Sequence, residues 1–110
     1  MVKLNPYRIM WLIVLFDLPT ETKTNKRDYT RFRKNLLKDG FTMMQYSVYL
    51  RHCASQENAE VHTIRVKSFL PPKGQVSIIR ITDKQFGLME TFMGVENIPP
   101  PIGPQQLEIF

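Results

Sequence analysis

Residues 9–17 read Ile-Met-Trp-Leu-Ile-Val-Leu-Phe-Asp, eight apolar side chains in succession closed by one carboxylate. A run of that length suits a strand better than a helix, and Ile9, Ile13 and Val14 add β-branched weight. No polar residue alternates with the apolar ones, so both faces of the strand are expected to be covered. Leu18-Pro19 ends it, because proline cannot donate to a ladder and biases its predecessor away from helix. Asp17 is thereby placed at the mouth of a central strand, beside solvent. Residues 19–25 then read as a loop with several N-cap residues, and a helix is predicted from about Lys26 to Lys38. Tyr29, Phe32, Leu36 and Leu37 fall at i, i+3, i+7 and i+8 and form one apolar face. Arg27, Arg31, Lys34 and Lys38 form a second stripe on nearly the opposite side, and Gly40 supplies the C-terminal cap.

Phe41 to Tyr46 and Ser47 to Arg51 carry strand-like aromatic and apolar residues, with polar Gln45 and Ser47 at the joint. The joint lacks Gly and Pro, so either a hairpin or one bent strand with a bulge satisfies it. Ser55 opens a second helix carrying Ala59, Val61, Ile64, Val66 and Phe69, which Pro71-Pro72-Lys73-Gly74 ends. Val76 to Ile81 is a predicted strand with Val76, Ile78 and Ile79 in the core. Asp83 to Phe86 reads as a helical turn and Met89 to Met93 as a last short strand. The order β-α-β-β-α-β predicts an α+β fold, a ferredoxin-like sandwich of one antiparallel sheet with two helices on one face. Two helices cover one face only, yet the first strand is apolar on both, so a homodimer packed through its sheets is expected.

This places one ferredoxin-like domain over residues 1–94 and a Pro-rich spacer with a strand-like tail over residues 95–110. Pro99-Pro100-Pro101 and Pro104 stiffen the spacer. Gln105 to Phe110 alternates polar and apolar residues, which suits addition to an exposed sheet edge of its own chain or a partner's. A tail that stays unpaired is the alternative.

A chain of 110 residues holds one core, and its net charge of +5 matters through its placement. Seven of the fifteen basic residues fall in the sixteen positions from Lys23 to Lys38. Such a block points to a polyanionic partner, against the plainer reading of a solvated helix face. The apolar run is far shorter than the roughly 18–20 residues of a membrane span, and the N-terminal residues lack a signal-peptide pattern. The single cysteine, Cys53, excludes an internal disulfide and fits a reducing, cytoplasmic compartment. It reads as a small structural residue rather than a nucleophile, since nothing nearby would lower its pKa.

His52, Cys53 and His62 lack zinc-ligand spacing, and His62 reads as a surface or partly buried histidine. No phosphate-binding glycine loop or nucleophile elbow occurs. The RNA-recognition motif shares the element order, but its aromatic-rich strands are missing here. Asp17 alone is a loop-capping acceptor or half of a magnesium site. Mg²⁺ binds through one or two carboxylates with water and phosphate completing its shell, and a two-fold axis in a sheet-packed dimer would bring a second Asp17 to the first.

The arrangement of apolar strand, Phe16-Asp17, loop, basic helix, Gly40 and Gln45-x-Ser47-Val48-Tyr49 resembles the CRISPR-associated adaptation endonuclease family. Arg31-Phe32-Arg33-Lys34-x-Leu36-Leu37-x-x-Gly40-Phe41-x-Met43-Met44-Gln45-x-Ser47-Val48-Tyr49-x-Arg51 is similar to members from type II, single-effector systems. The resemblance covers nearly the whole chain. It implies a small dimeric subunit that accompanies the CRISPR integrase, with Asp17 as magnesium ligand and catalytic residue. On the basic stripe, it implies Arg27 and Arg31 as phosphate contacts. Many members carry Tyr at the position of Phe16, and a phenylalanine cannot donate a hydrogen bond to phosphate or water.

Two functions follow as expectations. One is a dimeric scaffold that binds double-stranded protospacer DNA through Arg27, Arg31, Lys34 and Lys38 and bridges integrase dimers during spacer acquisition. The other is a Mg²⁺-dependent endonuclease acting on DNA or RNA through paired Asp17 carboxylates. A ferredoxin-like RNA-binding or regulatory module without catalysis is the alternative.

Overall fold

The computed structural model describes residues 8–94, and the expected tail over residues 95–110 lies outside them. Four strands and three helices follow in the order β1 (Met10–Asp17), α1 (Lys23–Lys38), β2 (Thr42–Gln45), β3 (Val48–Cys53), α2 (Gln56–Ser68), β4 (Gln75–Thr82) and α3 (Asp83–Gly87). The sheet has the order β2-β3-β1-β4 and every neighbouring pair is antiparallel. This is the α+β, ferredoxin-like arrangement that the element order predicts.

β1 is central, as its unbroken apolar run requires. Its even positions, Met10, Leu12, Val14 and Phe16, are buried in the core with Phe32, Leu36, Phe41, Tyr49, Cys53, Ala59 and Val66. Its odd positions, Trp11, Ile13 and Leu15, are only half-buried on the other face. There the pairing sets them beside His52, Leu50 and Val48 of β3 and Ile81, Ile79 and Ser77 of β4. α3 covers one end of this face. Phe86 stacks on Trp11 with ring centroids 4.0 Å apart, and the Trp11 indole donates to Asp83 Oδ1 at 2.7 Å.

α1 begins at Lys23, earlier than the predicted Lys26, because the Thr22 hydroxyl accepts from the Asn25 amide at 3.0 Å. Its buried residues are Phe32 and Leu36, whereas Leu37 is exposed. The helix closes as a Schellman turn: Gly40 has φ 90°, its amide donates to the Leu37 carbonyl, and the Phe41 amide donates to the Leu36 carbonyl. The joint after β2 combines both predicted forms. β2 and β3 make a hairpin turning at Tyr46-Ser47, Ser47 takes φ 63°, and the register slips between Met43 and Gln45 as a bulge.

Three expectations are corrected. In α2 the buried residues are Ala59, His62, Thr63 and Val66, while Val61 and Ile64 face outward. Polar His62 and Thr63 occupy the inner face because each has a partner: His62 Nδ1 lies 2.8 Å from Asp39 Oδ2, and the Thr63 hydroxyl donates to the Ala59 carbonyl at 2.8 Å. Ile79 pairs with Ile13 and so faces away from the helices; only Val76 and Ile78 of β4 pack on the core. Residues 89–93 form no strand, because the chain leaves the sheet through α3.

Asp39 joins three elements. Its backbone carbonyl accepts from Arg51 Nε of β3 at 2.8 Å, and its carboxylate meets His62 and, at 3.2 Å, Arg65 of α2. Asp39→Ala leaves the buried His62 ring unpaired, so we expect a loss of about 1–3 kcal/mol in chemical denaturation. In a double-mutant cycle, His62→Ala is then expected to cost much less in the Asp39→Ala background than in the wild type.

Candidate functional site

The pleat of β1 settles where Asp17 points. Successive side chains alternate across a strand, so Phe16 enters the helix-side core and Asp17 emerges on the opposite side, exposed. Phe16 packs edge-on against Phe32 with centroids 5.1 Å apart and lies 5.6 Å from the Tyr49 ring. The Phe16 ring therefore belongs to an aromatic cluster in the core.

Two backbones at positive φ hold the strand end. The Phe16 amide donates to the Ser47 carbonyl at 3.1 Å, which ties β1 to the left-handed residue of the hairpin turn. Across β4, Gly74 has φ 92°, and a Cβ there would lie 2.6 Å from the Asp17 carbonyl oxygen. Only glycine allows that approach. It brings Gln75 opposite Asp17 in the pairing.

The result is a groove of about 330 Å³ whose lining includes Leu15, Asp17, Tyr46, Ser47, Gln75 and Ser77. Sequence reasoning found Asp17 but not Tyr46, Gln75 or Ser77. The polar joint at Gln45-x-Ser47 was the available signal for the turn. The groove offers one carboxylate with hydroxyl and amide oxygens around it, a hard oxygen donor set suited to Mg²⁺. Among the described residues no three His, Cys, Asp or Glu side chains cluster as a metal site. Asp17 thus fits half of a magnesium site that water, phosphate or a second carboxylate completes.

Arg27, Arg31, Lys34 and Lys38 all lie exposed on the outer side of α1 and line one open depression of about 510 Å³. Among the described residues none of the four enters an ion pair, whereas Arg65 and Arg80 are bound to Asp39 and Glu60. The structure therefore brings the four cations together. It does not join them to Asp17: depression and groove share no residue.

Other titrating groups are structural. Burial pushes the Cys53 thiol up, with Arg51 opposing more weakly. The Arg80 guanidinium, 2.6 Å from Glu60 Oε2, holds that carboxyl below its ordinary value. Neither side chain reaches the groove. His62, buried on Asp39, is no ligand either.

Comparison with known proteins identifies the family. Residues 10–89 match the family model described as CRISPR associated protein Cas2. A protein of Flavobacterium psychrophilum named CRISPR-associated endoribonuclease Cas2 is 52% identical over 98% of this chain and 94% of its own length. A protein of the same name from Parvibaculum lavamentivorans is 54% identical over 92% of this chain and 100% of its own length. A solved structure described as a crystal structure of Cas2 superposes with a TM-score of 0.53 at 22% identity, covering 82% of this chain and 94% of that one, and supports the fold. The chain belongs to the Cas2 family of CRISPR-associated proteins.

Cys53 is fully buried and its thiol is raised, so little thiolate exists near neutral pH and none is accessible. Native protein at pH 8 is expected to react with iodoacetamide at least about tenfold more slowly than the same protein in guanidinium, read by mass spectrometry. Equal rates would show that Cys53 is solvated.

Proposed function

We propose that this Cas2-family chain is a subunit of CRISPR adaptation that binds nucleic acid through the α1 cation row and acts as a dimeric scaffold between integrase dimers. The observation that carries this reading is the row itself: four exposed cations without ion-pair partners among the described residues, on one side of a single helix. Charges spaced along a helix neutralise backbone phosphates and give affinity with little sequence information, as capture of arbitrary DNA requires. The half-buried Ile13 and Leu15 and the exposed Ile79 favour a second copy packed against the open sheet face, since α3 covers only the Trp11 end of it. The integrase partner is proposed from the family.

A second reading is favoured by Asp17. Relatives at 52% and 54% identity are named endoribonucleases. An exposed carboxylate at a rigid strand end, in a groove lined with hydroxyl and amide groups, suits metal-dependent phosphodiester hydrolysis. In this reading Asp17 holds Mg²⁺, which when bound supplies Lewis-acid polarisation of the phosphate and a more acidic water. Gln75 and Ser77 orient the phosphate oxygens beside it.

Two measurements test these readings. Duplex binding is expected to weaken steeply with salt, and Arg27→Gln with Arg31→Gln should flatten the log–log salt slope by roughly two units per chain engaged. A strong preference for one sequence over scrambled DNA contradicts the scaffold reading.

Asp17→Asn removes charge and little volume at an exposed position. It is expected to keep fold and DNA binding while abolishing any Mg²⁺-dependent cleavage. In cells, acquisition of new spacers is expected to continue with Asp17→Asn. Loss of acquisition with a folded, DNA-binding variant would make the carboxylate, and not the scaffold, the functional core.

A further inference from the structure

The α1 row contains two kinds of cation, and only one kind is chemically reactive. Arg27 and Arg31 stand one helical turn apart, and each is a permanently charged fork that can pair with phosphate through two N–H groups. Lys34 follows three residues after Arg31 on the same row, and its amine is a nucleophile whenever it sheds its proton. All three side chains are exposed and line one open depression together with Thr30 and Asn35. At 1.5 Å per residue the stretch from Arg27 to Lys34 covers roughly 10 Å of helix axis, the scale of one small phosphorylated molecule.

No acid lines this depression. The ion pairs among the described residues go to Asp39 and Glu60, which lie outside it. Asp28, the one acidic residue of α1, lines a separate crevice with Leu18, Pro19 and Lys73. Lys34 also differs from the other lysines of the surface. It has Arg31 three residues before it and Lys38 four after, so positive charge lies on both sides along the row. Lys38 stands in the last turn, where the carbonyl ends of the helix and Asp39 follow. The charge of Lys67 bears on the Glu60 carboxylate, and Lys73 lies in the loop before β4.

We propose that the α1 depression is a self-acylation site: Arg27 and Arg31 hold the phosphate of an acyl phosphate such as acetyl phosphate, and Lys34 takes its acyl group. A cationic surface that no acid neutralises concentrates a small dianion beside itself. The neutral Lys34 amine attacks the acyl carbon and forms a carbon–nitrogen bond. The bond from that carbon to the bridging oxygen breaks, and its electron pair leaves on inorganic phosphate, which the two guanidiniums hold. The proton lost from nitrogen passes to water. The product is a neutral amide, so the row loses one of its phosphate contacts and with it affinity for DNA. That regulatory consequence rests on the reading of the row as the nucleic-acid surface.

The test incubates the protein at pH 8 with acetyl phosphate and, in parallel, with acetic anhydride, a neutral reagent. Occupancy at each lysine is read by peptide mass spectrometry. With acetyl phosphate, Lys34 is expected to be modified about 5-fold to about 50-fold faster than Lys67 and Lys73. With the anhydride the three are expected to agree within about threefold, because no charge guides the reagent. Arg27→Gln with Arg31→Gln is expected to remove the Lys34 advantage toward acetyl phosphate and to leave its rate with the anhydride unchanged. Equal rates at the three lysines with acetyl phosphate, the same preference for Lys34 with both reagents, or a preference that survives loss of both arginines each overturn the proposal. Lys34→Gln, uncharged as the acetylated side chain is, should lower the log–log salt slope of duplex binding by about one per chain engaged. An unchanged slope overturns the regulatory consequence. Arginine-dependent acylation of Lys34 in a protein that binds no duplex rejects the DNA reading alone. Duplex binding without the Lys34 preference rejects the acylation site alone.

Discussion

The burial of Phe16 is the contact on which the site depends. It sits at the end of β1 among Phe32, Tyr29 and Tyr49, and its backbone amide holds the hairpin turn. A strand has period two, so fixing one side chain in the core fixes the next one outward. Asp17 owes its exposure to its neighbour's burial. A slip of one residue would bury the carboxylate and expose the ring, exchanging a favourable apolar burial of roughly 1.5–3 kcal/mol for an unpaired buried charge. That asymmetry locks the register more firmly than the backbone ladder alone.

A second group of constraints shapes what surrounds Asp17. Gly74 lets β4 come against the Asp17 carbonyl, and Ser47 accepts a left-handed backbone so that the turn can close with two residues. Left-handed backbone in a residue other than glycine is uncommon and costs free energy, and it is retained where the surrounding structure determines it. Here the determinant is visible: the Ser47 carbonyl is the acceptor for the last amide of the β1 core. On the other side of the molecule the Asp39 joint binds the end of α1 to β3 and α2, which aims the cation row outward while Phe32 and Leu36 face the sheet.

The element order, the central strand and the cation row were legible because each rests on a strong local pattern: an unbroken apolar run, and basic residues at helical spacing. What was not legible depended on partners distant in sequence. Val61 and Ile64 are among the apolar residues that mark α2 in the sequence, but the inner row is Ala59, His62, Thr63 and Val66, spaced at i, i+3, i+4 and i+7. Two of those are polar, and nothing local announces that Asp39 lies ready to pair with His62. Ile79 failed for a different reason. Val76, Ile78, Ile79 and Ile81 include apolar residues of both parities, and only the pairing of Gln75 with Asp17 decides which parity faces the helices. Met89 to Met93 carries strand-like residues, yet the capping box of Thr82 and Gln85 turns the chain into α3 first. Of the groove, Asp17 stood out as a lone charge ending an apolar run. Tyr46, Gln75 and Ser77 did not, because their common location is a product of the sheet.

The two faces of β1 carry different halves of the proposed function. The helix side is finished: its side chains are buried and its outer surface presents four cations without ion-pair partners among the described residues. The other side is unfinished in two respects at once. Ile13, Leu15 and Ile79 remain partly or wholly exposed, and one carboxylate stands where a divalent cation prefers more oxygen ligands. A second copy on that face would address both deficiencies, because a two-fold axis that covers apolar residues near the end of β1 also brings the two strand ends, and with them both Asp17 side chains, toward each other. Apolar burial and metal affinity would then be linked: a cation held between the copies binds only the dimer and so stabilises it by mass action.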